Sequence, residues 1–534
     1  MAYTDDGTTT GAAGSGTPAA RRHAPEEAPF RWRWAALAAL LAAEAMNLLD
    51  STIVQVAAPV IRAGLGGGAS GVQWFGAAYT LPFGVLLITG GRLGDVAGRK
   101  RVFRAGVLGF ALASLACALA PTAGVLIAAR AAQGAAAALV VPQTFGLIRA
   151  MFRGPELARA LGGIGPVMGL AAVCGPVLGA VLTRADLFGT GWRSVFLVNL
   201  PLAAVVLACA RLLPADSSDH ADPHGTAARR PRLDLAGTAL AGTGTALLTL
   251  PLIEGADSGW PAWCFLVLVA GAGALGLFAL QQRRLRSAAR TAGSRAPRRP
   301  LIEPGLLSER AFSAALVTSA LFFAVLNGLI LVVVLHLQLG LGRDAFAAGM
   351  TLVPWSAGSA IASWAAGARL VPRYGTRLMP VGLALFAAGL MGAVAAYAAC
   401  PPGGFPWPLL AALGVAGVGS GLFTVPFFTA ALERVAPAAT GSAAGLLNAV
   451  QQLGATAGTA VLGSVFLRGL PRGVDSGGGA SSGAVASPGA ATASLSAAQH
   501  ACWLALALLA AAAVTARRMR TEAAAHRESG SQLP

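Results

Sequence analysis

The chain has 534 residues, of which 55% are hydrophobic and 11% charged, against about 25% charged in ordinary globular domains. That balance excludes a water-soluble protein, and the lack of ten-residue segments of alternating polarity excludes a barrel, leaving an all-α polytopic membrane protein. The net charge of +17 would suggest nucleic acid in a soluble domain, but here the basic residues sort by membrane side and no nucleic-acid partner is expected.

Fourteen apolar runs are each about long enough to cross a bilayer: 35–57, 73–90, 102–120, 123–146, 160–182, 195–212, 234–253, 262–280, 312–334, 346–368, 378–399, 407–430, 440–465 and 500–516. With both termini placed in the cytoplasm, only Arg62, Arg184, Arg193, Arg343, Arg468 and Arg472 of the 39 Lys and Arg fall outside, and Arg130 lies within a span. The reading divides the chain into a tail (1–34), a six-span unit (35–212), basic loops with two extra spans (213–311), a second six-span unit (312–516) and a tail (517–534). The first 30 residues are polar and carry no apolar stretch ending in a cleavage site, so they are expected to remain as a disordered cytoplasmic tail. Segment 466–499, rich in Gly, Ser and Ala, is expected to be a flexible external loop. The six cysteines have no ligand spacing and read as packing residues, with no metal and no cofactor. His336, at an external helix end, reads as a solvated interfacial residue.

Charge within hydrocarbon is costly, and by these boundaries only Glu44, Asp50 and Arg130 lie well inside spans. At 100° per residue Glu44 and Asp50 flank Asn47 by about 60° on either side, a polar wedge that must face a cavity or another helix. Between the second and third runs lies Gly90-Gly91-Arg92-Leu93-Gly94-Asp95-Val96-Ala97-Gly98-Arg99-Lys100-Arg101, a short charged loop in which Gly91 and Gly98 permit a tight reversal. On the fourth span Gln133, Gly134, Ala137 and Ala138 share the side of Arg130, so another helix can come close there. The fifth carries Gly165, Gly169, Gly175, Pro176 and Gly179, a glycine-rich face with a proline bend. Ala368 to Arg377 aligns without gaps on Gly91 to Lys100, a degenerate second copy with Pro372 where Asp95 stands, as two homologous halves would leave.

The pattern Gly-x-Leu-x-Asp-x-x-Gly-Arg-Lys at 91–100 resembles the loop between helices two and three of major facilitator superfamily transporters. Leu49-Asp50-Ser51-Thr52-Ile53-Val54-Gln55-Val56-Ala57-Ala58-Pro59 resembles the first-helix motif of the fourteen-helix drug:proton antiporters, with Gln55 where that family usually has Asn. Arg130-Ala131-Ala132-Gln133-Gly134 is similar to its fourth-helix motif, and Gly175-Pro176-x-x-Gly179 to its antiporter signature, with Ala180 replacing a second glycine. Gln73-Trp74 with Tyr79, Trp192-Arg193 with Asn199-Leu200-Pro201, and Asn448 with Gln451-Gln452-Leu453-Gly454 look like the same family.

The resemblance implies a major facilitator fold of two six-helix bundles plus two central helices, in the cell membrane, exporting hydrophobic small molecules in exchange for protons. It implies proton coupling by Asp50 with Arg130 as partner, Glu44 being a further candidate outside the motif, and a cytoplasmic latch made by Gly91, Arg92, Asp95, Gly98, Arg99 and Lys100. Asn47, Gln55, Trp74, Gln133, Asn448 and Gln452 are the candidate substrate cavity. The partners are then a small-molecule substrate, protons and membrane lipid, with a monomer as the working unit. No phosphate-binding G-x-x-x-x-G-K-[ST] loop and no hydrolase motif occurs, so an enzyme is not expected and an ion gradient must supply the energy. An importer or uniporter of another solute, or a non-transporting receptor, are the alternatives.

Overall fold

The computed structural model describes residues 31–66, 71–153, 156–157, 159–160, 164–186, 189–214, 234–259, 261–292, 309–432, 440–470 and 488–530. The expected N-terminal tail up to residue 30, the basic stretches 215–233 and 293–308, and 471–487 of the expected external loop lie outside the described residues, as does the side chain of Asp95.

The described chain is helical throughout its ordered elements: α1 Arg33–Leu65, α2 Gly71–Ala97, α3 Arg99–Ala118, α4 Ala123–Met151 and α5 Ile164–Ala185, then α6 Gly191–Leu212, which opens with a single 3-10 turn. After these come α7 Leu235–Ser258, α8 Ala262–Ala292 and α9 Arg310–Leu335, the last running into a π turn, His336–Gly340. The chain ends with α10 Ala345–Thr351, α11 Val353–Ala365, α12 Leu378–Ala399, α13 Pro408–Leu432, α14 Thr440–Arg468 and α15 Pro488–Gly530. Among the described residues eleven helical stretches are long and apolar enough to cross a membrane. One of them, Ala345–Ala399, takes in 55 residues and must cross more than once, because at about 1.5 Å per residue it far exceeds a core of about 30 Å. Internal prolines at 59, 82, 142, 176 and 251 are carried within helices, as membrane helices tolerate.

Several elements run past their expected ends. α1 continues to Leu65, and α8 continues to Ala292 through what reads as the start of a basic loop. Residues 488–499 are helical rather than loop: Pro488 at the first position and a run of Ala, Leu and Gln favour a helix over the flexibility that Ser and Gly suggest. The charged loop at 90–101 is likewise mostly helix. α2 extends through Ala97, α3 starts at Arg99, and the reversal is made at Gly98 alone, whose φ of 95° is open to glycine and strained for other residues. Its repeat partner Gly375 has φ 53°, after the short helix Val371–Tyr374, so both copies break the helix at the same aligned glycine.

Two apolar cores organise the packing. One is confined to the first half and gathers α1 (36–46), α2 (79–87), α3 (103–110), α4 (136–151) and α6 (203–213) on the side of the membrane that holds Gly98. The other joins α9 to α15 with the far ends of α1, α2, α3, α4 and α6, including Ile53, Ile61, Phe75, Leu126 and Phe196. On the side away from Gly98 the halves therefore share one interior. Specific bonds follow the same division: Gln55 Nε2 donates to Asn327 Oδ1 (3.3 Å), Gln338 Nε2 to the Val56 carbonyl (2.8 Å), and the Thr80 and Thr456 hydroxyls meet at 2.5 Å. His336 is not solvated as expected. It is fully buried with its ring edge-on to Tyr397 at 4.9 Å, because the π turn directs it into the second half while Gln338 of the same turn reaches α1. α7 packs on α2, α8 and α14, and α8 leaves Leu266 and Val269 exposed, as a lipid-facing helix does.

Candidate functional site

α4 is the spine of the site. Arg130 and Gln133, three residues apart, project from one face. Directly beyond them Gly134 lets α2 approach so closely that a Cβ there would come within 2.1 Å of the Tyr79 carbonyl oxygen. The approach gives Arg130 its surroundings: Nε donates to the Phe75 carbonyl at 3.0 Å, and the guanidinium lies 4.4 Å from the centre of the Tyr79 ring.

Asp50 reaches this face from α1. Its Oδ2 accepts from Arg130 Nη1 at 2.5 Å, and its Oδ1 accepts from Gln133 Nε2 (2.9 Å) and Asn199 Nδ2 (2.7 Å). Gln133 in turn accepts from Arg130 Nη1 at 2.7 Å and donates to Ser114 Oγ at 2.8 Å, while Asn199 lies 3.3 Å from the same hydroxyl. Asp50, Ser114, Arg130, Gln133 and Asn199 are each at most 1% exposed. Four helices thus close a charge-neutral network in a buried interior, where removing one member of an ion pair costs about 3–5 kcal/mol. A carboxylate with three donors and one cation at hand has a single chemical lever, its proton.

The other residues of the polar wedge face neighbours within the first half. Asn47 accepts from the Tyr79 hydroxyl, and Glu44 is buried, while the Thr144 hydroxyl of α4 donates to the Val140 carbonyl of its own helix at 3.4 Å. Among the described residues no donor reaches Glu44 Oε1 or Asn199 Oδ1. Gln133, expected on a substrate cavity, is instead fully buried in the Asp50 network. Gln55, Trp74, Asn448 and Gln452 remain part-exposed. Gln55 spans to α9, and Gln452 lies against Gly84 of α2. Gly175 and Gly179 of α5 pack on α1 at Thr52 and Ile53, two and three residues beyond Asp50, with Pro176 between them; Gly165 and Gly169 lie earlier on the same helix. Of the loop residues, Gly91 faces Pro142, the Arg99 guanidinium lies over Gly146 of α4, and Lys100 Nζ donates to the carbonyls of Arg211 (3.2 Å) and Leu213 (2.5 Å); Arg92 is half-buried.

Sequence reasoning missed three members. Ser114 carries no charge to flag it, although it shares the buried face of Phe110 and Cys117 on α3. Asn199 appears only as part of a motif, without a role. Glu254 stands one residue past the expected end of the seventh span, yet α7 continues to Ser258 and Glu254 accepts from Trp74 Nε1 at 2.5 Å.

The many long apolar helices make this a multi-pass membrane protein, with an ion pair sealed among four of them. The chain belongs to the Major Facilitator Superfamily, whose family model matches residues 40–459. It is 43% identical to the probable actinorhodin transporter of Streptomyces coelicolor, over 82% of this chain and 73% of the relative. It is 35% identical to the puromycin resistance protein pur8 of Streptomyces alboniger, over 82% and 83%. The fold matches the crystal structure of a bacterial homolog to the human lysosomal transporter Spinster with a TM-score of 0.61 at 16% identity, covering 92% of this chain and 97% of that one.

Proposed function

We propose that the protein exports hydrophobic, antibiotic-like small molecules across the cell membrane in exchange for protons. The relatives named for actinorhodin transport and puromycin resistance support the export direction and the substrate class. The observation that carries the coupling is the bonding of Asp50 to Arg130, Gln133 and Asn199 in a fully buried network. Protonating Asp50 removes the counter-charge of Arg130 and turns an acceptor into a donor, so the network must rearrange. α1 carries that change to α5 at Thr52 and to α9 at Gln55, the contacts that join it to moving neighbours.

In this reading the fourteen crossings are α1 to α9, α10 with α11, and α12 to α15. α1–α6 and α9–α15 are the two bundles, α7 and α8 the insertion, and both termini are cytoplasmic. The Asp95 stretch latches the cytoplasmic ends in one access state, the glycines of α5 permit sliding on α1, and Asn47, Gln55, Trp74, Asn448 and Gln452 face substrate. Glu44 adjusts affinity for cationic substrates.

The test is accumulation against a gradient in proteoliposomes with an imposed pH difference. Asp50→Asn is expected to abolish uphill transport while substrate exchange or binding persists at least in part, and Glu44→Gln to change affinity for cationic substrates. Full pH-driven accumulation by the Asp50→Asn protein would remove Asp50 from the carrier role.

A further inference from the structure

α7 lies along the seam where the two halves meet. α2 and α14 pack there in antiparallel register, with Gln452 against Gly84, the Thr80 and Thr456 hydroxyls 2.5 Å apart, and Gln73 against Gly463. α7 runs antiparallel to α2 beside this pair. Toward the Gly98 face it is fastened to α2: the Thr89 and Thr238 hydroxyls lie 2.8 Å apart, and a Cβ on Gly242 would sit 3.3 Å from Val85. Toward the opposite face three successive residues hold both sides of the seam. The Leu252 carbonyl accepts from Ser464 Oγ of α14 at 3.1 Å, Ile253 is buried with Ala77 of α2 and Ala460 of α14, and Glu254 accepts from Trp74 Nε1 of α2 at 2.5 Å.

We propose that α7 is a clasp on the alternating halves: it travels with α2, and Leu252 and Ile253 hold α14 only while the seam away from Gly98 is shut. Glu254 is the positioning residue that keeps this end of the helix against α2. The proposal rests on the alternating cycle of the preceding section. Its physical basis is how the bonds divide. Thr238, Gly242 and Glu254 tie α7 to α2, so α14 can leave α2 without disturbing them. The same movement must part Ser464 from Leu252 and uncover Ile253. Contacts made in one arrangement and not in the other stabilise that arrangement alone. Release strands no polar group, because a serine hydroxyl freed from the clasp can return to a carbonyl of its own helix.

The test places a reporter, Thr456→Cys, at the buried seam and measures its reaction with a soluble maleimide in the purified full chain, by mass spectrometry of the peptide that carries it. Ser464→Ala, Ile253→Ala and Glu254→Leu should each raise the rate by about fivefold or more, the population change that loss of one ordinary hydrogen bond produces. Glu254→Gln, which keeps an acceptor for Trp74, should hold the parent's rate. So should Thr238→Val, which loosens α7 from α2 at the far end. The native Cys117, buried in the first half, reports unfolding and should react no faster in any of these chains. Gly463→Leu drives Gln73 from α14 and should raise the rate whatever α7 does. A response to Gly463→Leu alone would leave an opening seam and overturn the clasp. Silence in every chain would remove the opening seam, and with it the alternating reading on which the clasp rests. An equal rise in Thr238→Val, or a rise at 456 matched at Cys117, would also overturn the proposal.

Discussion

Arg130 satisfies three different demands with one planar group: a carboxylate, an amide oxygen and a backbone carbonyl, while its face lies on Tyr79. A lysine has the charge but neither the fork nor the flat face. Arg130→Lys should keep the counter-charge for Asp50 yet lose the bonds to Phe75 and Gln133. Hydrogen bonds to charged groups are worth about 1.5–3 kcal/mol each, so transport should fall by about tenfold or more, measured as initial export rate at matched protein levels. A Lys variant with the parent's rate would show that charge alone is what Asp50 requires. The chemistry of this site was legible where it was charged. Asp50, Arg130 and Gln133 could be picked out because ionic and amide groups inside apolar runs are conspicuous. Ser114 and Asn199 could not, since a hydroxyl and an amide in a membrane helix fit ordinary helix packing equally well until their partners are seen.

At the scale of elements, the contact of α2 with α4 sets the geometry of the pair. Gly134 faces the Tyr79 carbonyl and Gly90 faces the Ala138 carbonyl, where a Cβ would come within 2.2 Å. Gly134→Val should therefore push α2 outward, draw the Phe75 carbonyl from Arg130 and impair transport, with a loss of stability of about 1–3 kcal/mol from overpacking. Export assays and heat-induced unfolding of the purified protein measure the two effects, and an unaltered rate would mean that the helix spacing does not position Arg130. Element existence was readable from hydropathy, whereas element ends were not. α1, α7, α8 and α15 all continue beyond their apolar runs because polar residues near a bilayer face cost a helix little, and Pro59 of α1 and Gly255 of α7 are carried within the helix rather than ending it. The Gly98 turn shows the converse: a run of charge looked like a loop, but one glycine was enough for the reversal.

At the scale of the molecule, the halves are joined on the side away from Gly98 and keep separate interiors on the other. In the function proposed above, that asymmetry would be one access state of an alternating carrier, closed at the face where Gln55, Gln338 and Thr80 bond across. With the Gly98 face cytoplasmic, a cysteine introduced near residue 290, close to the end of α8, should resist an impermeant reagent added to intact cells and react once the membrane is opened. Labelling in intact cells would reverse the assigned orientation. The alignment of Gly98 with Gly375 was visible in sequence, and both glycines have positive φ. Which side is shut was not, because that depends on contacts between residues hundreds of positions apart.

The ion pair also has a history during synthesis. Asp50 and Arg130 are separated by 80 residues, so the ribosome makes the acid well before its cation. At about 5–20 residues per second the wait is roughly 4–16 s. Through that interval α1 carries Glu44 and Asp50 without Arg130, at a transfer cost of about 2.5–3.5 kcal/mol for each central charge. α1 should consequently be a poor inserter on its own and become stably embedded only when α4 follows. Truncated nascent chains bearing a glycosylation reporter would show this as a length threshold beyond Arg130. An Arg130→Ala chain should lack the threshold, while insertion of α1 as efficient in the shortest chains as in the longest would mean that the bilayer accepts the acids unaided.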